Sequence, residues 1–226
     1  MSGRAQTPVR KIPIGTRSVT GTMPSGDRFE SSLERDLMYL LDFDSNVDKF
    51  VPQPVTIEYM DGDGKPHTYT PDILIYYRND ISVERNLRNI LGEVKYREDL
   101  RQNFKEYRPK FKAAIRFAKE RGWSFRLLTE REIRTPYLKN AKFLSRYKKI
   151  DSNSISDQIT LVLEKIQELQ DTNVDSLLAE IYQDKINQAQ LLPIVWHLIA
   201  NQRIGCNLNI PVTMSTRIWM IGVRNE

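Results

Sequence analysis

Two short stretches decide the fold of this chain: Thr70-Pro71-Asp72-Ile73-Leu74-Ile75-Tyr76-Tyr77 and Ile90-Leu91-Gly92-Glu93-Val94-Lys95. Each is an apolar run of strand length with charged residues at one end. Pro71-Asp72 stands at the head of the first run, and Glu93-Val94-Lys95 closes the second, 21 residues after Asp72. Two neighbouring strands would bring these charged residues together at one end of a sheet.

Two carboxylates and a lysine arranged in this way can hold divalent cations and assist the attack of water on a phosphodiester. Asp72 and Glu93 would supply carboxylate oxygens, and the carbonyl of Val94 a third ligand. Lys95 follows Glu93 by two residues, so both side chains point to the same side of a strand. Lys95 would then orient the water or stabilise the charge of the transition state.

A third acid, Glu34, lies in a predicted helix that begins near Ser31. Leu33, Leu37, Leu40 and Leu41 recur at helical spacing and predict a buried stripe. Glu34 is next to Leu33 at the edge of that stripe, where it can point into a cleft and complete a second metal position. Each acid also has a plain structural explanation, such as a turn after proline or an exposed ion pair.

Composition narrows the chemistry further. The chain has 226 residues, with 40% hydrophobic and 28% charged, which is typical of a soluble globular protein. Its single cysteine, Cys206, suggests a reducing, cytoplasmic location. With only His67 and His197, a histidine-rich metal site or a Ser-His-Asp triad is not expected. A metal bound through oxygen favours Mg²⁺ or Mn²⁺. No apolar run has the roughly 20 residues of a membrane span, and no secretory signal is evident.

Charge is distributed unevenly. Residues 1–150 carry 29 Lys and Arg against 20 Asp and Glu, whereas residues 151–226 carry 5 against 9. The first part suits a polyanion such as DNA, and the second suits a protein surface. Residues 1–24 read as a flexible basic arm, either a disordered tail or an arm laid on DNA. The cations of that arm are Arg4, Arg10, Lys11 and Arg17.

The order of the predicted elements indicates an α/β fold. A hairpin is predicted around Asp61-Gly62-Asp63-Gly64, and a βαβ crossover joins the strand at 90–94 to one at 123–129 through a helix at 99–121. Residues 78–89 are predicted to be a polar linker. One face of the helix at 99–121 is expected to be apolar and buried, with Leu100, Phe104, Tyr107, Phe111, Ile115 and Ala118. A neighbouring face carries five cations at the same period: Lys105, Arg108, Lys112, Arg116 and Lys119.

A domain boundary is expected near 150–155, so that residues 25–150 form the catalytic domain and 151–226 a second domain. Helices at 155–170, 174–185 and 188–201, followed by two short strands, suggest that the second domain is small, mostly helical and winged-helix-like. Trp196 and His197 lie among apolar residues of the third helix and are expected to be packing residues.

This layout resembles the restriction-endonuclease-like nucleases that carry a PD-(D/E)xK motif. Within them it is most similar to the TnsA family, the endonuclease subunit of heteromeric cut-and-paste transposases. The resemblance covers residues 29–221. It rests on the stretches Phe29-Glu30-Ser31-Ser32-Leu33-Glu34-Arg35-Asp36, Val51-Pro52-Gln53-Pro54, Thr70-Pro71-Asp72, Gly92-Glu93-Val94-Lys95, Leu128-Thr129-Glu130-Arg131-Glu132-Ile133-Arg134 and Leu192-Pro193-Ile194-Val195-Trp196-His197-Leu198-Ile199-Ala200.

The resemblance implies a mixed sheet flanked by helices and an active centre made of Glu34, Asp72, Glu93 and Lys95. It also implies Mg²⁺-dependent cleavage at the 5′ ends of a transposon, beside a TnsB-like recombinase that acts on the 3′ ends. The cations from Lys105 to Lys119 on the helix at 99–121 would then contact the phosphate backbone of the DNA. A TnsC-like ATPase would dock on the C-terminal part. Two alternatives remain open: a catalytically silent DNA-binding adaptor, and a stand-alone restriction or repair nuclease.

Overall fold

A computed structural model describes residues 20–23, 26–151 and 154–221, apart from the side chain of Ile81. The four cations of the predicted basic arm lie outside these residues. The chain divides into two compact units, the first ending at Arg134 and the second beginning at Thr135.

The first unit is built around a mixed four-stranded sheet. Its elements are β1 (Gly21–Thr22), β2 (Arg28–Phe29), α1 (Ser32–Phe43), β3 (Val47–Pro52), β4 (Ile57–Met60), β5 (Pro66–Tyr69), β6 (Ile73–Tyr77), α2 (Asn79–Arg85), β7 (Ile90–Val94), α3 (Arg97–Glu120), β8 (Ser124–Leu128) and α4 (Glu130–Ile133). The strand order is β3-β6-β7-β8. The first two pairings are antiparallel and β7–β8 is parallel, with α3 as the crossover. The predicted α/β fold, a restriction-endonuclease-like mixed sheet flanked by helices, is confirmed.

Each face of this sheet is covered by one long helix, because β6 alternates its apolar side chains between the two faces. Ile73 and Ile75 pack against the leucines of α1, while Leu74 faces the alanines of α3. The alanines Ala113, Ala114 and Ala118 are almost fully buried. Helix α1 therefore lies on one face of the sheet and α3 on the other.

Three expectations within the first unit need correction. Part of the predicted arm is ordered, since β1 pairs with β2 and Met23 is buried. The polar segment 78–89 contains helix α2 and is not only a linker. On α3 the buried residues are Phe111 and the three alanines, whereas Phe104 and Ile115, expected on the buried face, are about half exposed. Small side chains let this helix approach the sheet closely, so periodicity in large residues misplaced the buried stripe.

The second unit combines helices with a small antiparallel sheet. Its elements are α5 (Pro136–Leu144), a 3₁₀ turn (Ser145–Tyr147), α6 (Ser156–Leu169), β9 (Thr172–Asn173), α7 (Val174–Ile181), α8 (Lys185–Ala200), β10 (Ile204–Cys206) and β11 (Arg217–Met220). The strand order is β10-β11-β9. Trp196 and His197 of α8 are buried, as expected for packing residues. The three predicted helices and two strands are present, and β9 was not foreseen.

The division between the units lies at 134/135 and not near 150, because the intervening segment packs within the second unit. Phe143 of α5 meets Trp196 of α8 with ring centroids 5.5 Å apart. The side-chain amide of Asn140 donates to the carbonyl oxygens of Leu208 and Ile210, at 2.8 and 2.7 Å. The second unit therefore also contains the basic residues of 135–150. It carries 10 Lys and Arg against 9 Asp and Glu, so the expected acidic character belongs only to residues 151–226.

Within the part of the chain that is described, no helix is long and apolar enough to cross a membrane.

Candidate active site

Glu34 is held at the start of α1 by the cap of that helix. The Ser31 hydroxyl accepts a hydrogen bond from the Glu34 N–H at 3.1 Å and donates to Oε1 of Glu34 at 2.8 Å. Oε2 accepts from the backbone N–H of Glu30 at 3.0 Å. Burial raises the pKa of Glu34, while these hydrogen bonds and the nearby Lys95 act in the opposite direction. Ser31 thus caps the helix and orients the carboxylate of Glu34, which contributes charge to the same region as Lys95.

Asp72 lies immediately before β6, opposite the end of β7. Its Oδ2 accepts a hydrogen bond of 2.7 Å from the backbone N–H of Val94. Burial and the neighbouring carboxylate of Glu93 raise the pKa of Asp72 well above its usual range, and Glu34 adds to the effect. Lys95 opposes the shift. Like charges brought close together with little water are a common mark of a site that binds a cation.

Glu93 is almost entirely buried, and both of its carboxylate oxygens have partners. Oε2 accepts a 2.6 Å hydrogen bond from the phenol of Tyr69. Oε1 lies 3.1 Å from Nζ of Lys110 and 3.5 Å from Nζ of Lys95. A buried carboxylate needs such partners, since an unpaired charge in the interior is strongly unfavourable.

Lys95 remains a cation in these surroundings. Burial by itself lowers the pKa of Lys95, but the carboxylates of Asp72 and Glu93 outweigh it and raise the pKa above the ordinary lysine value. Its side chain is 27% exposed. The ammonium group is therefore charged at neutral pH on a partly exposed side chain, as is required of a group that stabilises a phosphoryl transition state.

All four residues predicted as catalytic thus meet at one end of the sheet of the first unit. Glu34 is in the first turn of α1, Asp72 immediately precedes β6, Glu93 is in β7, and Lys95 immediately follows β7. The predicted metal ligands are the three carboxylates and Val94, which is the last residue of β7. The carboxylates of Glu93 and Glu34 raise the pKa of Asp72 and Lys95 lowers it, so Asp72 interacts with each of the other three predicted catalytic residues.

Sequence reasoning missed two residues around Glu93. Tyr69 ends β5 and is buried, and Lys110 lies in α3. The ammonium group of Lys110 also lies 4.4 Å from the ring centroid of Tyr107 and 4.9 Å from that of Tyr69. Lys110 falls just beside the basic stripe of α3, and only the folded chain shows that it points to Glu93.

The donor set suits a hard divalent cation in its chemistry, because carboxylate and carbonyl oxygens are the ligands of Mg²⁺. In the described ranges 20–23, 26–151 and 154–221, however, no three His, Cys, Asp or Glu side chains stand ready to surround a metal ion. The contacts of Glu93 with Tyr69 and Lys110 engage its carboxylate. The residues fit the cation by charge and donor type, and Glu93 would share its oxygens with these partners.

A basic groove lies between α3 and the β4–β5 hairpin. All five cations that the sequence predicted to contact DNA are exposed on α3: Lys105, Arg108, Lys112, Arg116 and Lys119. The first four of them line a cavity of about 560 Å³ together with hairpin residues from Tyr59 to Gly62. The cations follow one face of the helix, as a phosphate backbone running along it would require.

A mixed sheet between two helices, with two carboxylates and a lysine at its strand ends and a third carboxylate in the first turn of α1, is typical of the restriction-endonuclease-like class of nucleases. Comparison with family models is more specific. The TnsA-like endonuclease N-terminal model matches residues 44–130, and the TnsA endonuclease C-terminal model matches residues 132–208. The chain belongs to the TnsA family of transposon-associated endonucleases. The meeting point of the two models, at residues 130–132, agrees with the division of the structure. No curated protein matches the chain significantly.

Proposed function

We propose that this chain is the metal-dependent DNA endonuclease subunit of a cut-and-paste transposase, which hydrolyses phosphodiester bonds at the 5′ transposon ends. The observation that carries the proposal is the convergence of Glu34, Asp72, Glu93 and Lys95, whose charges act on one another. Their membership of a TnsA-family chain supports the assignment to transposition.

The three carboxylates and the Val94 carbonyl would hold Mg²⁺, for which Mn²⁺ would substitute. When bound, the cation neutralises charge on the phosphate and lowers the pKa of water. The raised pKa values of Asp72 and Glu34 reflect repulsion and burial that a cation would relieve. The neighbouring carboxylates keep Lys95 charged, and its ammonium group would stabilise the additional negative charge that develops on the phosphate.

The DNA would lie along α3, with Lys105, Arg108, Lys112, Arg116 and Lys119 on its phosphates. Their position in the groove beside the hairpin supports this path. Contacts of this kind set the register of the duplex without reading bases. Recognition of the transposon end would therefore rest largely on other parts of the assembly.

The partners would be a TnsB-like DDE recombinase and a TnsC-like ATPase regulator, the latter docked on the second unit. Exposed apolar side chains in that unit, including Trp219 at 43% and Ile210 at 53%, support a protein contact there. The second unit as a whole is nearly neutral, so any electrostatic attraction to the partner would come from the acidic residues of 151–226.

Nicking of a transposon-end duplex in the presence of both partners tests the proposal. Cleavage is expected with Mg²⁺ or Mn²⁺ and is expected to disappear with chelator and in Asp72→Ala. The exposed Asp48 provides the matched control, Asp48→Ala, which should cut normally. Equal cleavage by Asp72→Ala and the unaltered chain would show that Asp72 does not belong to the active site. If the unaltered chain does not cut in a complete assembly, the chain is better explained as a catalytically silent adaptor. If it cuts specific sequences without partners, it is better explained as a stand-alone nuclease.

A further inference from the structure

Gln53 has an unusual backbone conformation at the end of β3. Its φ is +47°, in the left-handed region that residues other than glycine seldom adopt. The next residue is Pro54, and a residue before proline favours extended conformations. Backbone strain of this kind persists only where the surrounding structure enforces it, and it is concentrated at functional sites.

Hydrogen bonds connect Gln53 to both sides of the candidate active site. Its backbone N–H donates to the carbonyl oxygen of Asp72 at 2.9 Å. Its side-chain Nε2 donates to Oε1 of Glu30 at 3.2 Å, and the Glu30 N–H in turn donates to Oε2 of Glu34. The chain of bonds therefore runs from Asp72 through Gln53 and Glu30 to Glu34, joining residues that are far apart in sequence.

The amide oxygen of Gln53 is an acceptor that this network does not use. The side chain is only 5% exposed, and among the described residues no donor reaches Oε1. Exchanging the two ends of the amide would place this oxygen against the carboxylate of Glu30, so the contact with Glu30 fixes the orientation. A buried acceptor without a donor costs about 1–3 kcal/mol, which a hydrogen bond from an incoming group would recover.

We propose that Gln53 is a positioning residue of the nuclease site, which sets the distance between Glu34 and Asp72 for a shared divalent cation. Its amide oxygen accepts a hydrogen bond from water that accompanies the cation. This inference rests on the proposed function, since it assumes that Glu34 and Asp72 serve the same ion. Residues that orient metal ligands from behind typically change metal affinity by about 10- to 100-fold when removed.

The test measures Mn²⁺ affinity by calorimetry on the full chain, without DNA. Gln53→Gly is the informative variant, because glycine accepts the positive φ and removes only the side chain. Its Mn²⁺ affinity is expected to fall about tenfold. Glu30→Ala should give a similar loss, and Glu30→Gln should stay close to the unaltered chain because it can still accept from Nε2.

The double variant Gln53→Gly, Glu30→Ala should bind Mn²⁺ no more weakly than Gln53→Gly alone, since both substitutions interrupt the same bridge. Far-UV circular dichroism and urea unfolding establish that each variant is folded. Undiminished Mn²⁺ affinity in folded Gln53→Gly, or additive losses in the double variant, would overturn the inference.

Asp72→Ala separates this inference from the proposed function. If that variant loses Mn²⁺ binding while Gln53→Gly retains it, only the role of Gln53 fails. If Asp72→Ala binds Mn²⁺ as well as the unaltered chain, the proposed metal site itself fails, and the role of Gln53 with it.

Discussion

The phenol of Tyr69 donates a 2.6 Å hydrogen bond to Oε2 of Glu93, a carboxylate that is 1% exposed. The bond joins the hairpin that borders the basic groove to β7, the strand that contains Glu93 and is followed by Lys95. Burial, the charge of Glu93 and this hydrogen bond together raise the pKa of Tyr69, so the phenol stays protonated and remains a donor.

Tyr69→Phe is accordingly expected to lower the free energy of unfolding by about 1.5–3 kcal/mol, the range for a hydrogen bond to a charged group. Phenylalanine keeps the ring but leaves the buried oxygen of Glu93 without this donor. Urea unfolding at neutral pH measures the difference. Tyr59→Phe is the control, because Tyr59 stacks on His67 in the same hairpin. Equal effects of the two substitutions would contradict the importance of the bond.

Lys110→Met is expected to destabilise the chain by a similar amount, about 1.5–3 kcal/mol, because it removes a charged donor from Glu93. Lys95, at 3.5 Å from the same oxygen, remains as a weaker partner. Lys119→Met, on the same helix but exposed, should change stability by less than about 0.5 kcal/mol. Chemical unfolding compares the two variants, and a neutral result at Lys110 would argue against the pairing with Glu93.

Stability without metal is expected to depend on pH through Asp72. Its folded-state pKa is raised by burial, by Glu93 and by Glu34, while Lys95 opposes the shift. The folded chain therefore holds this proton more tightly than the unfolded chain. The stabilisation is complete below the ordinary value of 3.8 and is lost as pH rises through the higher folded-state pKa.

Asp72→Asn should remove this contribution, because asparagine has no charge and keeps an oxygen for the Val94 N–H. The variant is expected to be more stable than the unaltered chain at neutral pH, with the advantage shrinking towards pH 4. Thermal unfolding in chelator across this range provides the measurement. Glu34, whose pKa is also raised by burial, keeps a similar dependence in both chains. A pH-independent difference would refute the explanation.

Lys95→Met is expected to slow cleavage about 10²- to 10³-fold, the usual loss when a group that stabilises transition-state charge is removed. Mn²⁺ affinity should not weaken, since the substitution removes a positive charge beside the carboxylates. Single-turnover cleavage and calorimetry separate the two effects. Lys65→Met, in the exposed hairpin turn, is the control. A loss of Mn²⁺ affinity that accounts for the slower reaction would show that Lys95 acts on the ligands instead.

The basic groove predicts a specific salt dependence. Replacing Lys112 and Arg116 with serine should reduce the slope of log affinity against log salt by about 2, because each phosphate contact contributes about 0.9. The loss should be the same for transposon-end and unrelated duplexes. Arg85 and Arg88, exposed elsewhere on the same unit, provide the matched double control. An unchanged slope in the variant with both substitutions in the groove would argue against DNA binding along α3.

Much of the fold could be predicted from local pattern. The leucines before and after Glu34 show the period of a helix, and the runs at 73–77 and 90–94 have the length and composition of strands. The buried face of α3 could not be predicted from the pattern of large apolar residues, because the face that packs on the sheet is formed largely by alanines such as Ala114 and Ala118. The unit boundary was also missed, since the contact of Phe143 with Trp196 joins segments distant in sequence.

The sequence by itself determined which residues carry the candidate chemistry: Glu34, Asp72, Glu93 and Lys95 stand at the ends of elements whose patterns are local. Only the tertiary structure decided what surrounds them. Tyr69 and Lys110 reach Glu93 from a hairpin and a helix, and Gln53 reaches Glu30 from the end of β3. Periodicity reports which face of an element is buried, whereas a hydrogen bond between two elements depends on how they pack, and no local pattern encodes that distance.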